Sequence, residues 1–270
     1  MKKICVYAHY NSENKIAPYV LYCLDKMREE GIRILFVSAS RLSLINESRL
    51  SNVVEKIIYV PNIGCDFYMW EAGIEYLSNK ILEIDSLILL NSSVLGPIFS
   101  LQDFFKKMDI KNLDFWGISD SYEIRYHVQS YFLVFNRKVI NSEVFRDYWS
   151  NLVPLHKDDV IRIYEVQLSK YFNERGFTSD VYYHARDKSN PTLCHPIEMF
   201  KAKVPFVKIQ LLRDNPCKIK LEEIVNYIKK NGNINIDVLN PYSEVKLNSF
   251  DRRVKRMLSF FNFKRGKYNA

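Results

Sequence analysis

The sequence predicts an α/β protein with a mostly parallel sheet flanked by helices. Two apolar runs, at residues 56–62 and 85–93, each end abruptly in polar, turn-forming residues, and the segment between them is amphipathic over residues 66–80. This order is typical of a strand, a helix and a second strand. In open α/β sheets, ligands bind just beyond the carboxyl ends of parallel strands. One edge of the sheet is therefore expected to carry the polar residues that follow the two runs: Asn62, Gly64, Asp66, Asn91, Ser92 and Ser93.

The rest of the first 185 residues continues this alternation. Residues 3–9 and 32–38 are predicted strands, and residues 17–30 between them show a helical period that stops at Gly31. The further predicted elements are helices at 101–108, 142–152 and 158–175 and strands at 114–118, 130–136 and 179–183. Beyond residue 185, prolines at 191, 196, 205 and 216 break the pattern. We therefore expect a core at residues 1–185 and a packed extension at residues 186–270.

Length and composition fit one sizeable cytoplasmic domain. A chain of 270 residues with 47% hydrophobic content can bury a full core. Its apolar runs are far shorter than the ~20 residues that a membrane-spanning helix needs. Polar residues at 9–14 also interrupt the amino-terminal apolar stretch too early for a signal peptide. The five cysteines are odd in number and lack CxxC spacing, so we expect reduced thiols without disulfides or a zinc site.

The polar residues after the first run suit a nucleoside or a sugar. The chain contains neither GxGxxG nor GxxxxGK[ST], which makes a dehydrogenase or a P-loop enzyme improbable. Gly64 instead lets the backbone approach a ligand, and Asn62 and Asp66 can hydrogen-bond hydroxyl groups. The alternative is structural: Asn62 and Gly64 form a turn and Asp66 caps the following helix.

Six segments together resemble the rhamnan synthesis protein F family of bacterial glycosyltransferases. The segments are NIGCDFYMWEAG, LILLNSSVLGP, DFWGISD, HVQSYFLVF, VIRIYEVQLS and PFVKIQLLRDNP. They occur in the order found in the family, over roughly residues 3–216, and their combination is more specific than any single segment. The resemblance implies a GT-A-like (Rossmann-like) fold with a mixed, mostly parallel sheet and a C-terminal helical extension. It also implies a nucleotide-sugar donor and a role in building rhamnose-containing or related cell-surface polysaccharide.

The family resemblance raises the question of a metal cofactor. Many GT-A enzymes neutralise the departing diphosphate with Mg²⁺ or Mn²⁺ held by Asp-x-Asp. This chain has no Asp-x-Asp, and Ser92 stands where the family more often has Asp, which puts the metal in doubt. The side chains that remain as possible single ligands are Asp66, Asp120, His127 and His195. Without a metal, Lys208 and Arg213 are candidate cations for the diphosphate, and an ordinary solvated lysine is the alternative for Lys208.

Glu165 is the candidate catalytic base. An inverting transfer needs a base that deprotonates the attacking hydroxyl group, and related GT-A enzymes carry it near the start of a comparable helix. The alternative is an exposed helical glutamate without a catalytic role. Asp158 and Asp159, which precede Glu165, are expected to cap the helix instead.

Two further segments are assigned to sugar or acceptor binding. Aromatic rings stack on the apolar faces of sugars, and polar side chains bond their hydroxyl groups. The candidates are Trp116, Asp120, His127, Gln129 and Tyr131. For the two aromatic residues among them, packing in the core is the commoner role. His9, at the end of the first strand, is a candidate for lining the pocket of the nucleotide base, with a capping or surface role as the alternative.

The carboxyl-terminal tail has a different character. Residues 251–267 contain seven Lys or Arg and one Asp, and apolar residues alternate with them, so residues 250–267 form a predicted basic amphipathic helix. Such a helix suits an anionic membrane surface. Nucleic acid is a less favoured partner, and packing of the helix on the protein body is a third possibility.

Together these observations predict an inverting glycosyltransferase at the inner face of the plasma membrane. The favoured donor is dTDP-rhamnose, and the favoured acceptor is a lipid-linked glycan. The alternative is a non-catalytic glycan- or nucleotide-binding subunit of a polysaccharide assembly complex, because Ser92 replaces the usual acid.

Overall fold

The computed structural model describes residues 2–234, and a mixed sheet lies at its centre. In this part of the chain the strands are β1 (Lys3–His9), β2 (Arg33–Ser38), β3 (Lys56–Tyr59), β4 (Ser86–Asn91), β5 (Val94–Leu95), β6 (Phe115–Ser121), β7 (His127–Val128), β8 (Phe132–Asn136), β9 (Ser179–Tyr183) and β10 (Val207–Lys208). The order across the sheet is β3-β2-β1-β4-β8-β6-β7, and β9 pairs with β6. Strands β5 and β10 form a separate antiparallel ribbon.

The pairing of the strands confirms the predicted mixed, mostly parallel sheet. Strands β1 to β4 are parallel to one another. Strand β8 is antiparallel to both β4 and β6, so β6 points the same way as β4. Strand β9 is parallel to β6. The carboxyl ends of β1, β2, β3, β4, β6 and β9 therefore share one edge, called the carboxyl edge below.

Helices cover both faces of the sheet. Within the described residues they are α1 (Pro18–Glu29), α2 (Leu44–Ser51), α3 (Cys65–Leu77), α4 (Leu101–Asp109), α5 (Arg137–Ile140), α6 (Glu143–Ser150), α7 (Lys157–Asp159), α8 (Val166–Asn173), α9 (Pro191–Cys194), α10 (Pro196–Lys201), α11 (Ile209–Arg213) and α12 (Leu221–Asn231). A 3₁₀ turn (Ser78–Glu83) follows α3, and a π-helical stretch (Val160–Glu165) joins α7 to α8.

The central strands are apolar on both sides because each side meets a layer of helices. In β1, Cys5 and Tyr7 point into one hydrophobic cluster, whereas Ile4 and Val6 point into the cluster on the other face. Strand β4 is buried along its whole length. A strand buried on both faces appears in sequence as a continuous apolar run rather than an alternating one, which explains why these strands are evident in the sequence.

Several elements differ from the predicted ones. Helix α2 is absent from the prediction, because its first residues, Leu44 and Ile45, are exposed and give no amphipathic pattern. Ser43 begins this helix by accepting a hydrogen bond from the Asn46 amide at 3.4 Å. The helix predicted at 158–175 is divided by the π-helical stretch. Strand β6 extends beyond its predicted end to Ser121, so that it includes Asp120.

The chain after residue 185 packs on the same core. Leu211, Ile224 and Ile228 of α11 and α12 belong to the hydrophobic cluster that includes Tyr7 and Phe36. Contrary to the prediction of reduced cysteines, Cys194 and Cys217 form a disulfide between α9 and the segment after α11. Their α-carbons are 5.3 Å apart, a separation that folding creates and cysteine spacing does not reveal.

None of the helices in residues 2–234 has the length and apolar character needed to cross a membrane. The predicted amphipathic tail at 250–267 lies outside the described residues.

Candidate functional site

Asp66 and Asn91 meet at the carboxyl edge. Gly64 precedes α3 with a left-handed backbone (φ 67°), and this turn brings Asp66 into the first turn of the helix. The Asn91 Nδ2 atom donates a hydrogen bond to Asp66 Oδ2 at 2.7 Å. The Asn91 Oδ1 atom accepts hydrogen bonds from the backbone N–H of Ser93, at 3.1 Å, and from its hydroxyl group. Asp66 therefore bonds a side chain from the next parallel strand, and no side-chain cap is made at the start of α3.

The other two polar residues of these loops are less enclosed. Asn62 is exposed, and Ser92 is half-buried. The Ser92 backbone N–H donates to the carbonyl of Ala8 at 3.0 Å, and its own carbonyl accepts from the Tyr19 hydroxyl at 2.8 Å. The backbone at Ser92 is thus fixed between β1 and α1, while its short neutral side chain faces the carboxyl edge.

Charges from three distant segments act on Asp66. Burial and, to a smaller extent, the negative charge of Glu165 raise the pKa of its carboxyl group to about 6. Lys208, the hydrogen bond from Asn91 and Lys157 act in the opposite direction on this pKa. The folded chain therefore brings Asp66, Glu165, Lys208 and Lys157 within electrostatic range of one another, although up to 142 positions separate them in the sequence.

Glu165 is the last residue of the π-helical stretch, and its side chain is half-buried. Its Oε1 atom accepts a hydrogen bond from the backbone N–H of Ser130 at 3.1 Å. Ser130 comes just before β8, which enters the sheet from the carboxyl edge. This contact holds the Glu165 carboxylate on the same edge as Asp66 and leaves acceptor capacity on both oxygens.

Lys208 reaches the site through the ribbon of β5 and β10. It pairs with Val94 in this ribbon, and the N–H of the next residue, Ile209, donates to the Ser93 carbonyl at 2.8 Å. The Lys208 Nζ atom lies 5.2 Å from the centre of the Tyr131 ring. Arg213 makes two hydrogen bonds to its neighbour Asp214, at 2.9 and 2.8 Å.

Lys157 has no counterpart in the sequence prediction. It is exposed at the start of α7, and its charge acts on Cys65, Asp66 and Asp214. A lysine beside two aspartates at 158 and 159 has the composition of an ordinary solvated helix start. Only the packing of α7 near α3 distinguishes it, and no local sequence signal reports that packing.

His9 is buried at the end of β1. Its Nδ1 atom lies 3.0 Å from the Ser38 hydroxyl, and its ring packs 5.0 Å from the Phe36 ring between centroids. Burial lowers the pKa of His9 to about 4 despite a hydrogen bond with the Lys15 backbone. His9 is therefore a neutral imidazole at physiological pH and belongs to the wall beneath the site.

A second group of the predicted residues lies at the ends of β6 and β9. Asp120 is fully buried and accepts hydrogen bonds from the backbone N–H of Ala185 and, at 2.9 Å, from His184 Nδ1. The Ser119 hydroxyl lies 2.8 Å from Gln129 Oε1 and 2.8 Å from the Tyr131 hydroxyl.

The remaining candidates for sugar binding have protein partners. His127 Nδ1 lies 2.8 Å from the carbonyl of Arg125. Trp116 and Tyr131 have only 5% and 2% of their surface exposed, and Trp116 packs against Phe104 and Phe132. Both rings are thus part of the hydrophobic core, which was the expected alternative to sugar binding.

The residues present do not fit a metal centre. His195 Nε2 lies 3.0 Å from both Asp187 Oδ2 and the Ser189 hydroxyl, whereas Asp120 pairs with His184 and Asp66 with Asn91. Asp66, Asp120 and His195 thus belong to three separate hydrogen-bonded groups. Throughout residues 2–234 no three His, Cys, Asp or Glu side chains converge as metal ligands.

Comparisons with known proteins found a sequence relative and solved structures of limited similarity. The chain is 26% identical over 275 residues to virulence protein VirA of Vibrio anguillarum, with 86% of this chain and 88% of that protein covered. Two solved structures align with parts of this chain at low identity. A putative glucose-1-phosphate thymidylyltransferase from Bacillus anthracis has a TM-score of 0.46 and 10% identity, and covers 67% of this chain and 86% of its own. A glycosyltransferase involved in glycosylation of the major capsid of PBCV-1 has a TM-score of 0.42 and 12% identity, and covers 85% of this chain and 100% of its own.

The family model for rhamnan synthesis protein F matches residues 34–258, which is most of the sequence. This match confirms the resemblance carried by the six segments. The chain belongs to the rhamnan synthesis protein F family.

Proposed function

We propose that this protein is a glycosyltransferase that moves a sugar from a nucleotide-diphosphate donor to a growing cell-surface polysaccharide. Family membership and the α/β fold support a polysaccharide glycosyltransferase. One observation carries the assignment of the site. The Ser130 N–H holds the Glu165 carboxylate at the carboxyl edge, where Asn91 holds Asp66 and where the charge of Lys208 acts on Asp66.

The donor would occupy the part of the carboxyl edge where Asp66 meets Asn91 at the end of β4. Asn62 and the Gly64 backbone lie where hydroxyl groups of a nucleoside or sugar can be bonded, and Asp66 is oriented by Asn91. The diphosphate would lie near Ser92, Ser93 and Lys208. Because the described side chains around Ser92 do not converge as metal ligands, Lys208 is assigned the charge neutralisation of the leaving diphosphate.

Glu165 would act as the base of an inverting transfer. As the acceptor hydroxyl attacks the anomeric carbon, a new glycosidic C–O bond forms and the bond from that carbon to the diphosphate oxygen breaks. The hydroxyl proton passes to the Glu165 carboxylate, and the departing diphosphate keeps the electron pair of the broken bond. The Ser130 N–H holds the carboxylate in place during this step.

The proposal extends to the donor sugar, the acceptor and the place of reaction. We favour dTDP-rhamnose as donor, a lipid-linked glycan as acceptor and the cytoplasmic face of the membrane as the place of reaction. The family name, rhamnan synthesis protein F, is the reason for favouring a rhamnose donor. The basic composition of residues 251–267 is the reason for favouring the membrane surface.

Calorimetry with a panel of nucleotide sugars, with and without Mg²⁺ or Mn²⁺, tests the donor. Selective binding of one nucleotide sugar is expected. A transfer assay then compares the wild type with Glu165→Gln, which keeps the shape of the side chain but cannot accept the proton. We expect Glu165→Gln to bind donor normally and to lose transfer by at least about 100-fold. Glu174→Gln, an exposed glutamate that follows α8, is the matched control.

A binding subunit without catalysis is the second candidate, since Ser92 is neutral where the family more often has an acid. It predicts that Glu165→Gln leaves glycan assembly in cells unchanged. Failure of every nucleotide sugar to bind the wild type would contradict the donor assignment and favour this second candidate.

A further inference from the structure

Two exposed tyrosines lie beside the buried Asp120 at the carboxyl edge. Tyr122 and Tyr126 belong to the loop between β6 and β7, and their ring centroids are 5.3 Å apart. They have 43% and 38% of their surface exposed. Burial, followed by the charges of Asp120, Tyr122 and Asp180, raises the pKa of Tyr126 to about 12. The pair therefore combines accessible ring surface with nearby carboxylates.

This tyrosine loop, residues 122–126, is fixed rather than loosely attached. Arg125 donates hydrogen bonds to the carbonyl of Val166, at 3.4 Å, and to the Gln167 side chain. Glu123 accepts a hydrogen bond from Asn190 Nδ2 at 3.0 Å. These contacts of Arg125 and Glu123 fix the position of the loop. Its two tyrosine rings are therefore exposed in a defined arrangement.

The same anchors fix the tyrosine loop relative to the candidate base. Val166 and Gln167, which Arg125 contacts, directly follow Glu165 in the chain. On the other side of the loop, the N–H of Ser130 donates to the Glu165 carboxylate. A ligand on the tyrosine rings would therefore be held at a constant position with respect to Glu165.

Polar groups that suit hydroxyl recognition lie next to the rings. His184 bridges two carboxylates, with Nδ1 2.9 Å from Asp120 Oδ2 and Nε2 3.1 Å from Asp180 Oδ1. The His184 side chain is 62% exposed. An imidazole can donate to or accept from a sugar hydroxyl group, and a carboxylate can accept from one.

We propose that Tyr122, Tyr126 and the Asp120–His184 pair form a subsite for the acceptor glycan. The tyrosine rings would stack on the apolar face of a sugar, and the exposed His184 imidazole, which the buried Asp120 orients, would contact its hydroxyl groups. The buried rings of Trp116 and Tyr131 cannot take this part, because they present almost no surface. This inference rests on the proposed glycosyltransferase function and names the side of the site on which the acceptor binds.

Saturation-transfer NMR on the full chain tests the subsite. The probes are methyl α-rhamnoside, a rhamnose trisaccharide and a glucose trisaccharide. We expect the wild type to bind a rhamnose probe, and the double variant Tyr122→Ala/Tyr126→Ala to bind it about tenfold more weakly. Tyr122→Phe/Tyr126→Phe keeps the ring faces and should restore most of the affinity. Tyr76→Ala removes a 55%-exposed tyrosine near the far end of α3 and is the matched control.

The outcomes separate this inference from the proposed function. The subsite proposal would be overturned if the wild type bound no glycan probe, or if the double variant bound the probe as strongly as the wild type. Nucleotide-sugar binding by calorimetry is measured on the same variants and should not change. If tyrosine-dependent glycan binding is found but no nucleotide sugar binds, the subsite stands and the glycosyltransferase proposal fails. If donor is bound and transferred but glycan binding ignores the tyrosines, only the subsite fails. Equal melting temperatures of the variants exclude loss of folding as the cause.

Discussion

The Asn91 side-chain amide donates a hydrogen bond to the Asp66 carboxylate across 2.7 Å, and this bond links α3 to the end of β4. Each partner controls the other. Asp66 fixes the orientation of the Asn91 amide, so that Asn91 Oδ1 faces the N–H and hydroxyl of Ser93. The loop assigned to the donor diphosphate is therefore shaped by a residue of the preceding helix.

Asp66 should make the stability of the protein fall as pH rises from about 4 to 6. Below this window the carboxyl group is protonated in both the folded and unfolded states. Within it, the unfolded state loses the proton first, because the pKa is 3.8 when unperturbed and about 6 in the folded protein. Asp66→Asn should therefore be more stable than wild type above pH 6, by roughly 1–3 kcal/mol, and equal to it near pH 4. Urea unfolding at several pH values measures the difference, and Asp147→Asn, an exposed helical aspartate, is the control. A constant difference across the range would contradict the raised pKa.

His9 should act in the opposite direction. Its pKa falls from 6.5 to about 4 on folding, so the unfolded state takes up a proton first as pH decreases through this window. The wild type should lose up to roughly 3 kcal/mol of stability between pH 6.5 and 4 on this account. His9→Gln cannot titrate, so its deficit relative to wild type should shrink towards pH 4. The same unfolding series shows this, with exposed His156→Gln as control. Parallel pH profiles for wild type and His9→Gln would refute the explanation.

Gly64→Ala should lower stability more than Gly31→Ala. Both glycines have a left-handed backbone, with φ of 67° and 72°, which costs an alanine about 1–2 kcal/mol. At Gly64 an added Cβ would also lie 2.8 Å from Tyr68 Cβ and 3.3 Å from Pro154 Cα, whereas at Gly31 it would meet nothing within 4 Å. Thermal unfolding of the two variants isolates the contact. Equal losses would mean that both Tyr68 and Pro154 move away from the added methyl group at no cost.

Lys208→Met should weaken donor binding by about tenfold, because the lysine is assigned the diphosphate charge. Methionine keeps the apolar stem against the Tyr131 ring and removes the ammonium. The loss should be greater for a nucleotide sugar than for the corresponding nucleoside, in calorimetry. Lys107→Met is the matched control, since Lys107 also lies over a ring, 3.9 Å from the Tyr182 centroid, but on α4. Equal loss for nucleoside and nucleotide sugar would remove Lys208 from the diphosphate subsite.

The Cys194–Cys217 disulfide should stabilise the protein in oxidising buffer. It closes a loop of 23 residues, for which chain entropy gives about 3 kcal/mol. Cys194→Ser/Cys217→Ser should lose that stability, and reductant should lower the wild type to the same level. Cys65→Ser, which removes a free thiol, is the control. Mass spectrometry after alkylation under denaturing conditions should find three free thiols, and a count of five would contradict the bond.

The main strands were predictable because burial on both faces leaves continuous apolar runs, as in β1 and β4. Helix α2 was not, because its exposed Leu44 and Ile45 reverse the usual pattern. Nor was the disulfide, since two cysteines 23 positions apart meet only after α9 and α11 have packed.

The residues of the candidate site likewise divide into those that the sequence could predict and those that it could not. Asp66 follows β3 and Asn91 ends β4, so their place on one edge of the sheet could be predicted. Their contact could not, because β2 and β1 lie between β3 and β4 in the sheet. Glu165 was selected through the family resemblance, and its contact with Ser130 depends on how the helix is wound. Lys157 and His184 carry no local signal, because each acquires its neighbours only through the packing of distant segments.

The π-helical stretch makes the site sensitive to chain length at one place. Residues of an α-helix are separated by 100° around its axis, because 3.6 residues complete a turn. Deleting one residue between Val160 and Tyr164 would allow the segment to rewind as a regular helix while α8 stays anchored through Leu168 and Phe172. Homologues that differ here by a single-residue gap would keep the same core and the residue at position 165, which directly precedes α8, yet α7 and its Lys157 would be displaced relative to it. Insertions and deletions in this turn, more than substitutions, are thus the changes by which related proteins could move the lysine of α7 relative to Glu165.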